Sequence, residues 1–152
     1  MKAEASLPRS VLFLCGMNAV RSPVAERLAR RLLPASVFVD SAGIHVGDPD
    51  PFVEAVLAEE GLVVADRTPK AFDDLEDNYF DLIVTLSPEA HHAALELTRT
   101  LAVEVEYWPT VDPTATQGSR AQKIAAYRDM RDRLKARIEE RFGGKSPQNG
   151  AD

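Results

Sequence analysis

The sequence predicts a single α/β domain built on a parallel sheet, and three observations carry that prediction. Short apolar runs alternate with helical patterns, the arrangement of strand–helix units whose strands lie parallel. Three helix starts are marked by a capping residue followed by proline, at Ser22-Pro23, Asp50-Pro51 and Ser87-Pro88. At 152 residues the chain is long enough for one full core, and residues 10–142 contain neither an internal repeat nor a linker. Residues 1–9 read as an N-terminal extension, 10–142 as the domain, and 143–152 as a polar tail expected to be disordered after Gly143-Gly144.

The first strand is Val11-Leu12-Phe13-Leu14, four apolar residues in a row between polar ones, as in a strand covered on both faces. A helix follows from Pro23 to Leu33, with Ser22 as its cap. Val24, Leu28 and Leu32 form its apolar stripe, and Glu26, Arg27, Arg30 and Arg31 its wet face. Val37 to Asp40 is a second short strand. Asp50-Pro51 opens a helix ending near Gly61. Residues 62–69 read as irregular or extended, and 73–79 as a single helical turn. Asp81 to Leu86 is the third strand, and Ser87-Pro88 starts a helix to about Thr100. Ala102 to Trp108 is the fourth strand, its Val103/Val105/Tyr107 alternation implying one better buried face. The last helix runs from about Ser119 to Phe142, with Ile124, Tyr127, Leu134, Ile138 and Phe142 at helical spacing.

Composition narrows the function. A formal charge of −6 argues against nucleic acid or an anionic membrane as main partner, so any anion site must be a local positive spot. One cysteine excludes an internal disulfide and fits a reducing, cytoplasmic setting. No apolar run approaches the roughly 18 residues of a membrane span.

The stretch Ser10 to Pro23 carries the chemistry. Between the strand end and the helix start, the turn from Cys15 to Ser22 presents backbone N–H groups to one point. That is an anion site, and the helix dipole favours negative charge there. Within it lie the only cysteine and, six residues later, Arg21. A thiol facing amide dipoles and a guanidinium is expected to ionise readily and act as a nucleophile. Arg21 can hold two oxygens of a tetrahedral oxyanion in its planar fork. Ser22 is placed to donate to the sulfur, and Asn18 to brace the loop. A lone cysteine ending a buried strand is more often a small core residue; the Cys-x5-Arg spacing between strand and capped helix favours the functional reading.

Cys15-x5-Arg21-Ser22-Pro23 after an apolar strand resembles the low-molecular-weight protein tyrosine phosphatases and the related arsenate reductases. Three further stretches resemble the family in order: Asp40-Ser41-Ala42-Gly43, Phe80-Asp81-Leu82-Ile83-Val84-Thr85, and Asp112-Pro113. The resemblance implies a phosphatase I-like fold: four parallel strands in the order 2-1-3-4 with helices on both faces. The Cys15 turn then sits at the switch point of strand order, where such sheets bind ligands. It implies phosphomonoester hydrolysis through a cysteinyl-phosphate, with Gly16, Met17, Asn18, Ala19, Val20, Arg21 and Ser22 around the phosphate. Ser41 would hold Asn18. The partner implied is a phosphorylated protein or small phosphomonoester, with inorganic phosphate or a similar oxyanion able to fill the site. Neither a cofactor nor a metal is expected.

A phosphatase of this kind needs a carboxylate that protonates the leaving oxygen and then activates water. The residues alone offer Asp48, Asp50 and Asp112, each followed by proline. Asp50 reads as a helix cap, and the choice between Asp48 and Asp112 stays open on local grounds; the family motif selects Asp112.

Departures from the family pattern qualify the substrate. Met17 stands where the family has a glycine. Thr114 and Ala115 follow Asp112-Pro113 in place of aromatic residues, and Ile44 replaces another aromatic. An aromatic substrate would lose two stacking surfaces, each worth about 0.5–1.5 kcal/mol. Val20 occupies the place of a second cysteine, so arsenate reduction would need an external thiol. A non-catalytic oxyanion binder is the third reading. His45 reads as a solvated loop residue, and Tyr107 and Trp108 as core.

Overall fold

β1 (Ser10–Cys15) is the central strand from which the rest of the sheet extends. In this computed structural model, described over residues 7–63, 68–75 and 79–143, β1 pairs with β2 (Phe38–Gly43) on one side and β3 (Leu82–Thr85) on the other. β4 (Glu104–Tyr107) lies beyond β3. All pairings are parallel and the order is β2-β1-β3-β4, as the family resemblance implied. The register aligns Cys15 with Gly43, Leu14 with Thr85 and Thr85 with Tyr107. The segments following the four strands therefore emerge at one edge.

Alternation along β1 builds two cores. Val11, Phe13 and Cys15 face one side, where α1 (Arg21–Leu32), α2 (Pro51–Ala58) and α4 (Arg120–Phe142) supply Val24, Leu28, Val56, Leu57, Leu134 and Ile138. Leu12 and Leu14 face the other, against Ala90 and Ala94 of α3 (Pro88–Leu97). A strand buried on both faces must be apolar along its buried length, and β1 is from Val11 to Cys15. Trp108 lies in the first core, edge-on to Phe13 with ring centroids 6.0 Å apart. Its burial agrees with the reading of it as core. Tyr107 is half-buried and stacks on His91 of α3.

The helix caps follow the sequence signals with one exception. Asp50 accepts from Phe52 N–H at 2.8 Å, and Ser87 accepts from Ala90 N–H at 3.2 Å. Ser119 and Gln122 form a reciprocal capping box, and Gly143 closes α4 in the left-handed conformation, with φ 74°. The exception is Ser22. α1 begins at Arg21 with Val20 as its cap and no side-chain cap bond, so Pro23 is the third helical residue. Proline is tolerated there because the first-turn N–H groups lack intrahelical partners. The Ser22 hydroxyl is engaged by the site instead.

Other boundaries shift by a few residues. β2 continues to Gly43 because it pairs with β1 along its whole length, and β4 is confined to Glu104–Tyr107. As an edge strand, β4 leaves Val103 and Val105 half-buried on the second core, which weakens the expected contrast between its faces. α2 ends at Ala58 and α3 at Leu97, each earlier than the apolar pattern suggested. A 3₁₀ turn covers Phe72–Asp74. The remainder of the expected turn at 76–78, residues 64–67, and the tail from 144 onward lie outside the described residues. Among the described residues, no helix is long and apolar enough to cross a membrane.

α2 and α4 are clamped by charge. Arg131 Nη1 donates to the Val56 carbonyl at 2.8 Å and to Glu59 Oε1 at 2.7 Å, while Arg128 holds both Glu59 oxygens. The Arg128 and then the Arg131 guanidinium pull the Glu59 carboxyl from its ordinary value of 4.5 down to about 2. A lowered folded-state pKa stabilises the fold above pH 4.5, and that contribution is lost as pH falls towards 2. Replacing Glu59 with Gln should flatten the acid limb of the stability curve across this window in chemical denaturation; an unaltered limb would show the clamp to be inert. Leu28 is wholly buried between α1 and the sheet. Its replacement by Ala should cost about 2–5 kcal/mol in urea unfolding, and a loss below 1 kcal/mol would contradict this packing.

Candidate active site

The turn from Cys15 to Val20 is shaped by where its carbonyls go. Cys15 O accepts from Ile44 N–H at 3.0 Å, Gly16 O from His45 N–H at 2.8 Å, and Met17 O from Gly47 N–H at 2.9 Å. Three successive carbonyls are thus held by residues 44–47, while the Asn18 N–H turns to Cys15 Sγ at 3.3 Å. An anion-binding nest needs this division. The segment after β2 can approach so closely only because Gly43 has no side chain. A Cβ there would lie 2.5 Å from Asn18 N and 2.7 Å from Met17 C.

Asn18 is the hub. It is fully buried, and it is the non-glycine residue with positive φ, 53°, among the described residues. Asparagine is among the few side chains that tolerate this region. Its Nδ2 donates to Ser22 Oγ at 2.9 Å and Ser41 Oγ at 3.1 Å, and its Oδ1 accepts from Lys70 N–H at 2.8 Å. Its own N–H points at Cys15 Sγ, 3.3 Å away. Met17, by contrast, has no positive φ, and its side chain projects outward, 49% exposed. The left-handed residue of this turn is Asn18, so a side chain at position 17 introduces no backbone strain.

The hydrogen-bond directions can be assigned by counting donors. Both Asn18 Nδ2 hydrogens are used, so Ser22 Oγ and Ser41 Oγ are acceptors towards it. Ser41 Oγ then donates to Glu26 Oε1. Ser22 Oγ lies 2.9 Å from Cys15 Sγ, a contact in which either atom can donate, and it donates to the Ala42 carbonyl at 3.4 Å. Ser22 Oγ and the Asn18 N–H thus converge on Cys15 Sγ, the N–H donating to it at 3.3 Å.

Glu26 was not legible in the sequence. Helical spacing placed it on the wet face of α1, yet it is 2% exposed. Its carboxylate accepts from Ser41 and pairs with Arg30 Nη2 at 2.9 Å. Position 26 lies one helical turn after Ser22, so the two side chains share one face of α1. That i, i+4 relation is the signal that could have found it.

Arg21 reaches the loop after β4. Its Nη1 donates to the Thr110 carbonyl at 3.0 Å, and its Nη2 lies 4.0 Å from Asp112 Oδ2. The Nε–Nη2 edge carries no hydrogen bond among the described residues, which leaves a bidentate fork for an oxyanion. Asp112 Oδ1 accepts from Thr114 N–H at 3.0 Å and Thr114 Oγ1 at 2.7 Å. With Oδ1 doubly occupied, Oδ2 is the oxygen able to carry or take a proton.

Of the three Asp-Pro candidates, Asp112 faces Arg21. Asp50 caps α2 and also accepts from Tyr127 OH at 2.6 Å, and Asp48 is exposed in the loop before α2. The structure therefore brings Cys15, Arg21, Ser22, Asn18, Ser41 and Asp112 to one edge of the sheet. The aromatic side chains at 107 and 108 are engaged elsewhere. A cavity of about 570 Å³ lies between Trp108–Pro113 and α4 and does not include Cys15.

These features define a class: a cysteine and an arginine on one loop between a strand end and a helix start, on a doubly wound parallel sheet. A family model described as low molecular weight phosphotyrosine protein phosphatase matches residues 10–143, and the chain belongs to that family, an enzyme family of cysteine-dependent phosphatases. Among individual relatives, the chain is 32% identical over 131 residues to an arsenate reductase of Bacillus subtilis (strain 168), covering 86% of this chain and 92% of that one. The fold superposes on an arsenate reductase from Archaeoglobus fulgidus with a TM-score of 0.68 at 26% identity, covering 87% of this chain and 98% of that one. It also superposes on a tyrosine phosphatase from Erwinia amylovora with a TM-score of 0.70 at 19% identity, covering 89% and 91%.

The hub assignment is tested by paired variants. Asn18→Gly keeps the left-handed turn without its amide bonds, whereas Asn18→Ala loses both. Phosphate affinity by calorimetry should fall about tenfold or more in each, consistent with lost hydrogen bonds to a buried network. The alanine variant should be the less stable by about 1–2 kcal/mol. Wild-type affinity in both would remove Asn18 from its role.

Proposed function

We propose that the protein hydrolyses phosphomonoesters through a cysteinyl-phosphate formed on Cys15. The observation that carries this reading is the convergence of Ser22 Oγ and Asn18 N on Cys15 Sγ, beneath a loop whose carbonyls are tied away from it. In the first step Sγ attacks phosphorus and the ester P–O bond breaks. Its electron pair leaves on the departing oxygen, which takes a proton from Asp112 Oδ2. The N–H groups of Gly16 to Ser22 and the Nε–Nη2 edge of Arg21 hold the equatorial oxygens, where charge is spread in the transition state. In the second step Asp112, now a carboxylate, takes a proton from water as the water attacks phosphorus. The S–P bond breaks and phosphate leaves, restoring both groups.

Asn18, Ser41 and Glu26 are positioning residues in this scheme, since they act through the loop and Ser22. The substrate class is a phosphorylated protein or small phosphomonoester. The single cysteine and the family favour a cytoplasmic setting.

A second reading, arsenate reduction, is favoured by the similarity to proteins described as arsenate reductases. Arsenate is a tetrahedral oxyanion of similar shape. With one cysteine in the chain, the two electrons would have to come from external thiols, one resolving the Cys15 adduct and the second completing a disulfide.

Cys15→Ser should abolish hydrolysis of aryl phosphates while leaving phosphate binding within a fewfold of wild type, read by kinetics and calorimetry; near-wild-type turnover would refute the nucleophile. Asp112→Asn should slow esters with poor leaving groups by about 10²–10⁴ and good ones much less, because a general acid matters most where the leaving oxygen is basic. Equal losses on both would remove Asp112 as the acid. Arsenate reduction with added thiol in the absence of ester hydrolysis would favour the second reading.

A further inference from the structure

Glu89 is a carboxylate at the site that the proposed chemistry does not use. It lies in the first turn of α3, and a Cβ built on Gly16 would be 3.2 Å from its Oε1, so the carboxylate sits over the residue following the nucleophile. Its Oε2 is 3.2 Å from His45 Nε2, and the His45 backbone N–H is itself bonded to Gly16 O. The two side chains meet above the phosphate loop while remaining 64% (His45) and 54% (Glu89) exposed. A carboxylate in the first turn is ordinarily explained by the helix dipole. Here it is also engaged by a residue from a different strand end, at the rim of an anion site.

That position has an electrostatic consequence. A fixed negative charge beside a phosphate cradle repels the phosphate dianion and disfavours substrates carrying further acidic groups. A cation on the leaving-group side reverses the sign. The neighbouring rim surface is aliphatic: Met17 and Val46 are both about half exposed, and Met17 abuts the backbone at Gly47. An overall charge of −6 favours association with basic partners in general.

Resting on the phosphatase reading, we infer that Glu89 is a specificity determinant that selects phosphopeptides with basic residues flanking the phosphorylated side chain. His45 positions the Glu89 carboxylate, and the exposed aliphatic rim covers the peptide's flanking stems.

The test compares kcat/KM on two phosphotyrosyl peptides of equal length, one flanked by Arg and one by Glu. It uses wild type, Glu89→Gln, and Glu139→Gln as a distant one-charge control on α4. p-Nitrophenyl phosphate serves as the reference substrate. At low salt the wild type should prefer the basic peptide about tenfold, the size expected for one charge a few ångströms from opposite flanking charges at a wet surface. Glu89→Gln should reduce that preference to about threefold or less, Glu139→Gln should leave it unchanged, and raising the salt should shrink it in wild type. An equal preference in wild type and Glu89→Gln, or an equal loss in both variants, would overturn the inference while turnover of p-nitrophenyl phosphate upheld the phosphatase reading. A wild type inert towards all three substrates would instead overturn the phosphatase reading, and this inference with it.

Discussion

The left-handed backbone at Asn18 is the constraint on which the site depends. The loop has only five residues, 16–20, between the end of β1 and the start of α1, and its backbone takes the left-handed conformation at position 18. The side chain that permits this conformation is the one whose amide then ties the loop to α1 through Ser22 and to β2 through Ser41. Its carbonyl oxygen takes the Lys70 N–H. One residue thus fixes both the curvature of the cradle and the hydroxyl that faces the sulfur. Because these groups are buried, leaving any one of them unpaired would carry the full cost of desolvation, which favours a single arrangement.

The parallel sheet supplies what the loop cannot supply alone. Each strand end delivers one component: Cys15 from β1, Ser41 and the 44–47 segment after β2, Glu89 after β3, and Thr110 with Asp112 after β4. The components lie far apart in sequence and meet because all four strands run the same way. β1 can occupy the centre because both its faces are apolar, and its alternation sends Phe13 towards Trp108 and Leu12 and Leu14 towards α3. Core and site are therefore the same strand read at its middle and at its end.

Most of the fold was legible because the relevant signals are local. The apolar run of β1 and the caps at Asp50 and Ser87 act within a few residues of themselves. Ser22 misled as a cap because its hydroxyl is drawn to Cys15 Sγ, a tertiary partner that outweighs the local one. Glu26 misled because a charged residue on a helix is read as solvated, whereas here Ser41 and Arg30 satisfy it in the interior. Met17 stands where the family has a glycine, and because the positive φ falls at Asn18 a side chain at 17 is accommodated. Glu89 carried no signal, since its place over Gly16 follows from strand order alone.

The most direct measurement of the central claim is mass spectrometry of the wild-type protein quenched in acid during turnover of an aryl phosphate. The account predicts a phosphoryl group on the peptide containing Cys15, present during turnover and lost once substrate is exhausted. Steady turnover with Cys15 never labelled would contradict it, because the sulfur at the centre of this loop would then not be the atom that takes the phosphoryl group.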